Sequence, residues 1–309
     1  MLHCIIFFFL LIGTVTGVRA QDTTATKPIT TATTIYLKDG SQLRGTLLEE
    51  TAESIRIKMD NLGEVTLALD KIERIERYTG GFYKNGRYWI SNPHSTRYFW
   101  APSALPLRKG EGYYQNAYVF VNSASVGVTD HFTMGGGFVL NPTFRDWQVL
   151  FLTPKISFPS QSNVTFGAGL IAVGVFNKQY NYDYQTGQEL PSRIKANLGG
   201  ITYGNVTFGG VERNASIGLG WGFTNENVAS QPVLNVSYMS RIGRKMGFVT
   251  ENWIIIPGGR GGGISILSGG IRFFSDRTAI DLALLVPAGA GLDTFIAIPY
   301  VDFVLKFGR

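Results

Sequence analysis

The sequence predicts an all-β chain dominated by an antiparallel transmembrane β-barrel, and three observations predict it. First, apolar and polar residues alternate with a period of two along segment after segment. In the last thirty-odd residues Thr278, Ile280, Leu282, Leu284 and Val286 share one face, and Arg277, Ala279, Asp281 and Ala283 the other. Phe295, Ala297, Val301, Phe303, Leu305 and Phe307 likewise oppose Tyr300, Asp302 and Lys306. Successive side chains of a strand point to opposite faces, so this period marks a half-exposed strand. Second, only 16% of residues are charged, 13% are aromatic and 38 are glycine, yet no long apolar run follows residue 20. Apolar positions scattered by alternation fit strands facing lipid better than a membrane helix. Third, the connections between these segments are short and long in turn, as in barrels with short periplasmic turns and longer outer loops.

Taken from the start, residues 1–20 read as a signal peptide. The apolar run from Cys4 to Ile12 is too short to span a bilayer, and Val18-Arg19-Ala20 offers a small-residue cleavage site before Gln21. Cys4 is the only cysteine, so the processed chain is expected to carry no disulfide, thiol nucleophile or cysteine metal site. The formal charge of +6 is mild, and no basic run with interleaved aromatics argues for nucleic acid.

Residues 21–32 are threonine-rich and read as a disordered leader. Residues 33–77 form a compact unit of five short strands at 34–37, 43–48, 54–58, 64–68 and 72–75, with turns at Lys38-Asp39-Gly40 and Asn61-Leu62-Gly63. Five bent strands in so short a span suggest a small SH3-like or Sm-like β-barrel. The string IYLKDGSQLRGTLLEE, residues 35–50, resembles the first strands of that class in envelope proteins. The resemblance implies a fold; for function it leaves a periplasmic spacer or docking module, with residues 33–77 as the candidate surface for a periplasmic protein partner.

Residues 78–96 are a linker with a hairpin turn at Lys84-Asn85-Gly86-Arg87. Strands are then expected at 113–128, 132–140, 147–158, 163–176, 196–209, 214–224, 232–241, 246–256, 264–274, 278–286 and 294–308. Bacterial single-chain barrels have an even strand number, and the strand at 113 precedes a short turn, so one more strand must come before it. Residues 97–105 are the candidate, giving a barrel over residues 97–309 of twelve strands, or ten as the alternative. The first and last strands carry Pro102 and Pro299 and would then meet at the seam, with both prolines expected at bulges or outside the paired region and a seam short of ladder bonds as the alternative. The stretch RYFWAPSALPLRKGEGYYQNAYVF, from residue 97, resembles outer-membrane β-barrel proteins of Gram-negative bacteria that carry the same pattern and have no assigned mechanism. It implies architecture across residues 97–309 and outer-membrane lipid as surroundings.

Catalytic chemistry is sparse. His94 precedes the first expected strand and His131 sits in a short turn, neither placed beside a serine and a carboxylate at an external rim. Gly258-Gly-Arg-Gly-Gly-Gly263 lacks the Gly-Lys-Ser/Thr ending of a phosphate loop and reads as an external loop. No enzyme activity, cofactor or metal is expected. Asp281, Asp302 and Glu251 could in principle pair as catalytic carboxylates, but charges facing one another inside a barrel more often form a structural network. The expected lumen network is Arg241, Glu251, Arg272, Arg277, Asp281, Asp302 and Lys306. Arg277 and Lys306 would lie near the periplasmic end, with the two aspartates about 13 Å above them at roughly 3.3 Å per residue. Arg272 or Arg241 would reach up between the carboxylates, and Gly218, Gly220 and Gly222 would leave room opposite. The function expected is an outer-membrane barrel of structural or interaction type with a periplasmic docking domain. The alternative is a narrow channel or transporter for small solutes, and behind it an outer-membrane enzyme.

Overall fold

A computed structural model describes residues 31–59, 61–78, 81–84, 87–141, 147–160, 162–182, 189–256, 263–289 and 295–308. The expected signal peptide, most of the leader and most of the glycine-rich loop at 258–263 lie outside the described residues.

Strands β1 (Thr31–Leu37), β2 (Gln42–Glu50), β3 (Ser54–Met59), β4 (Gly63–Ala68) and β5 (Ile72–Tyr78) form one antiparallel sheet in the order β4-β3-β2-β1-β5. Glycines with positive φ, Gly40 (85°) and Gly63 (72°), make the two turns read from the sequence. Alternation places Ile35, Ile55 and Ile57 at the centre of its apolar core, fully buried. A hairpin of β6 (Gly81–Lys84) and β7 (Arg87–Ile90) follows. Tyr83 shares a hydroxyl hydrogen bond of 2.6 Å with Thr34 of the small sheet. On its other side the Arg241 guanidinium lies over the Phe82 and Trp89 rings.

The second sheet closes on itself. Its strands are β8 (Gly112–Ala117), β9 (Val121–Gly127), β10 (Phe132–Val139), β11 (Trp147–Leu152), β12 (Lys155–Pro159), β13 (Val164–Tyr182) and β14 (Glu189–Gly209). β15 (Arg213–Thr224), β16 (Val228–Arg241), β17 (Met246–Ile255), β18 (Ile264–Phe274), β19 (Thr278–Gly289) and β20 (Ile298–Phe307) complete it. β11 and β12 keep one register against both β10 and β13 and are a single stave, interrupted where Pro154 has no N–H to donate. The barrel therefore has 12 staves.

The number matches the expectation, but the staves differ. Residues 97–105 are not a strand: they lie inside the barrel, and Tyr98 and Phe99 are both fully buried, which a stave with one face outward does not allow. The twelfth stave arises because residues 113–128 are two strands, β8 and β9, folded at residues 118–120. Tyr118 and Val119 take φ of 52° and 69° there, a conformation that costs L-residues about 1–2 kcal/mol each. The turn is held by Tyr118 N–H donating to the Val301 carbonyl (3.1 Å) and Asn116 Nδ2 donating to the Val119 carbonyl (2.9 Å). Closure runs between β20 and β8, from Asp302 opposite Ala117 to Phe307 opposite Gly112. The seam thus contains neither proline. Pro102 is in the lumen segment, and Pro299 pairs with Leu284 of β19 above the end of β8. The expected outer loop at 177–195 is largely strand, since β13 and β14 stay paired up to Tyr182 and Glu189. Segment 295–297 is not strand, so β20 starts later than expected.

Burial is inverted relative to a water-soluble barrel. Outward residues are apolar and exposed, among them Phe166, Phe208, Ile217, Phe248, Ile280, Leu282, Val301 and Phe303. Inward residues of the same staves are polar and buried, including Gln115, Thr165, Thr207, Asn214, Ser237, Glu251, Arg272 and Asp281. That is the dyad pattern of a transmembrane barrel, apolar toward lipid and polar toward the lumen.

Candidate functional site: a plugged lumen

The chain enters the lumen from the short-turn end and returns to it. Asn92 donates its N–H to Glu212 Oε1 (3.1 Å) and its Nδ2 to the Val211 carbonyl (3.2 Å), at the β14–β15 turn. On the way out, Lys109 N–H donates to Asp130 Oδ1 (2.9 Å) and Gly110 N–H to the Gly127 carbonyl (2.9 Å), at the β9–β10 turn. Between them, residues 92–105 form a plug. It is not a strand, and it pairs with itself only in part, Tyr98 N–H donating to the Ala101 carbonyl (2.9 Å) and Ser103 N–H to the Thr96 carbonyl (3.1 Å), so other peptide groups turn to side chains of the wall.

The wall supplies those partners stave by stave. Glu251 of β17 accepts through Oε2 from the N–H groups of Phe99, Trp100 and Ala101, each at 2.8 Å, while its Oε1 takes the Trp253 indole N–H (2.7 Å). A carboxylate capped by three converging backbone donors is a strong, charge-assisted clamp on the plug apex. Opposite in sign, Lys155 of β12 donates Nζ to the carbonyls of Leu105 (2.7 Å), Ser103 (2.8 Å) and Thr96 (3.4 Å). Thr207 Oγ1 accepts from Ala104 N–H, Asn205 Nδ2 donates to the Pro102 carbonyl, and Tyr98 donates its hydroxyl to Asn214 Oδ1.

The charged centre lies between β18, β19, β20 and the plug. Asp281 and Asp302 face one another directly in the β19–β20 register. Arg272 grips Asp281 with two hydrogen bonds, Nε to Oδ1 at 2.7 Å and Nη2 to Oδ2 at 2.8 Å. The same guanidinium holds the plug, donating to the carbonyls of Tyr98 (2.6 Å) and His94 (2.7 Å). Arg97 of the plug sits between the carboxylates, Nη1 lying 3.2 Å from Asp281 Oδ2 and 3.1 Å from Asp302 Oδ2. Gln115 Nε2 (2.7 Å) and the Tyr300 hydroxyl (2.8 Å) donate to Asp302 as well. Arg97, Lys155 and Arg272 are the buried cations and Glu251, Asp281 and Asp302 the buried carboxylates among the described residues, so the site is balanced. Balance matters: a buried charge without its partner costs several kcal/mol.

Of the residues expected in the network, the structure brings together Arg272, Asp281 and Asp302, with Glu251 on the plug apex beside them. Three stand elsewhere. Arg241 pairs with Glu212 at the short-turn end and bonds the Ile90 carbonyl, because its stave ends there. Lys306 approaches Glu111 at 3.5 Å, and Arg277 is exposed in the β18–β19 turn. Of the two arginines expected to reach the carboxylates, Arg272 does and Arg241 does not, and a second cation comes from the plug. That cation is Arg97, which alternation could not place because its segment does not alternate. Lys155 and Gln115 were also missed; each is an inward position of a stave, and nothing but the plug distinguishes it from other lumen residues. The expected room beside the glycines is taken up at Gly220, where a Cβ would stand 2.8 Å from Ile201 Cγ2 of β14, but at Gly222 a Cβ would meet Ala229 Cβ at an ordinary 3.6 Å. His94 is buried with its ring edge-on to Tyr113, and His131 Nδ1 lies 3.1 Å from the Ser157 carbonyl in its turn.

Fold and site together define the class: an outer-membrane-type β-barrel whose lumen is occupied by a segment of its own chain. Neither a protein-family model nor a curated protein matches the sequence. Solved structures do. A loop-deletion variant of OmpT, an outer membrane protein of Vibrio cholerae, is 11% identical over 90% of this chain and 96% of its own, with a TM-score of 0.35. OmpT expressed in the outer membrane of the same organism gives 11% identity over 90% and 94% of the two chains, with a TM-score of 0.33. The CymD monoaromatic hydrocarbon channel is 11% identical over 66% of this chain and 90% of its own, with a TM-score of 0.36. At these identities the likeness extends to no residue of the site.

Proposed function

We propose that the protein is a narrow outer-membrane channel held shut at rest by its own residues 92–105, with the five-stranded sheet as a periplasmic docking module. The observation that carries this reading is the manner of plugging. The plug enters and leaves at one end and is held by side-chain hydrogen bonds, not by being part of the wall, so it is removable without breaking a stave. Beside it remains a cavity of only about 70 Å³. The small sheet is the handle. It follows the expected signal peptide and precedes the plug, its strand order suits an SH3/Sm-like module, and β6–β7 connects it to the short-turn rim. A periplasmic protein that moved this sheet would draw on Asn92 and the plug directly. No enzymatic step belongs to the reading.

A second reading, an interaction protein whose plug is permanent, is favoured by the separate holds that Glu251, Lys155, Thr207, Asn205 and Arg272 of the wall keep on the plug backbone. Planar-bilayer recordings separate the two. The full processed chain should be silent, and a chain in which residues 92–105 are deleted should show steady openings while keeping the heat-modifiable gel mobility of a folded barrel. A folded deletion variant that stays silent would establish the interaction reading instead.

A further inference from the structure

Above the plug the lumen changes character. The interior of an open outer-membrane channel is polar, yet here the inward positions beyond Glu251 are aliphatic and aromatic. Ile171, Ile201, Val233, Ile266 and Leu285 surround a cavity of about 420 Å³ with Trp253 on its wall and Trp100 of the plug beside them. Ile266 and Trp100 keep 43% and 37% of their surface exposed there, an arrangement that water disfavours. The volume falls within the range of about 300–1,000 Å³ typical of small-molecule sites.

The polar groups at its edge are already engaged. Glu251 spends both oxygens on the plug apex and the Trp253 indole. Ser265 donates its hydroxyl to the Ala288 carbonyl at 3.2 Å. A polar or charged ligand would surrender its hydration and recover little, whereas an apolar one displaces water from aliphatic and indole surface. We propose that this outer cup is a binding site for a small, neutral, hydrocarbon-like molecule, with aromatic hydrocarbons favoured by the two indoles. The site forms with the plug in place, so the proposal does not rest on the channel ever opening.

Equilibrium dialysis of labelled naphthalene against the folded full-length protein in amphipol tests it, with naphthalene-2-sulfonate as a charged probe of the same shape. Saturable binding of one naphthalene per chain is expected, with the sulfonate at least tenfold weaker. Ile266→Asn combined with Leu285→Asn should weaken naphthalene at least tenfold in protein that keeps heat-modifiable mobility, while Ile266→Leu should retain it. Uptake that rises without saturation and is equal in wild type and double variant, as for partition into amphipol, would overturn the site. So would equal affinity for the sulfonate, a comparison made on the wild-type protein and therefore independent of whether the double variant folds.

Discussion

Replacing Arg272 by Met should lower the unfolding free energy by about 3–5 kcal/mol, the cost of stranding a buried charge. Arg272 is fully buried and completes four strong interactions: the two-point grip on Asp281 and the carbonyls of Tyr98 and His94. Methionine keeps much of the volume but leaves Asp281 with Arg97 as its remaining cation, and Arg97 already serves Asp302. Denaturant titration of the refolded protein, followed by loss of heat-modifiable mobility, measures the effect. Arg272→Met with Asp281→Leu should recover part of the loss, because it removes charge and counter-charge together. A single variant as stable as wild type would mean that this centre does not hold barrel and plug together.

The second large effect is expected at Glu251. Glu251→Ala leaves the N–H groups of Phe99, Trp100 and Ala101 without an acceptor, at about 1–3 kcal/mol for each buried donor and less than additively. The plug apex then has no hold on β17. Frequent openings should appear in planar bilayers where the wild type has none, while the barrel, whose ladder does not use this side chain, stays folded. Glu251→Gln keeps an acceptor but not the charge and should fall between the two. A silent, folded Glu251→Ala protein would place the hold on the plug with its other partners, Arg272, Lys155, Asn205, Thr207 and Asn214 among them.

The sequence carried the barrel well and the plug poorly, for physical reasons. Lipid on one face and a polar interior on the other force alternation, so β13 to β20 are readable from period two, and the glycines at Gly40 and Gly63 announce their turns. The β8–β9 turn was invisible because Tyr118 and Val119 occupy positive φ with no glycine or asparagine at either place. Its strain is offset by hydrogen bonds from Asn116 and to Val301, long-range features that no local pattern reports. The odd count of recognisable strands did signal a missing stave, but the even-number rule assigned it to residues 97–105, where consecutive buried aromatics and Pro102 argued against a strand. That one misplacement hid Arg97. Asp281, Asp302 and Arg272 were legible as inward charges on neighbouring staves, whereas Arg97, the cation that bridges the two aspartates, comes from a segment placed by tertiary hydrogen bonds.

The central claim is that residues 92–105 sit in the lumen and shut it, and a reversible covalent lock tests it most directly. A Cβ built on Gly167 of β13 would lie 3.1 Å from Ala104 Cβ of the plug, near the ~3.5–4.5 Å that a disulfide spans. The Asn205 side chain crowds the same point and must turn aside to admit the bridge, giving up its bond to the Pro102 carbonyl. Cys4, in the expected signal peptide, is the only native cysteine, so an Ala104→Cys, Gly167→Cys pair in the Glu251→Ala background has no competing thiol in the processed chain. Single-channel recording should show silence under oxidising conditions, openings after addition of reductant, and silence again on reoxidation. Conductance that is the same before and after reduction, with the disulfide verified by mass, would contradict the account.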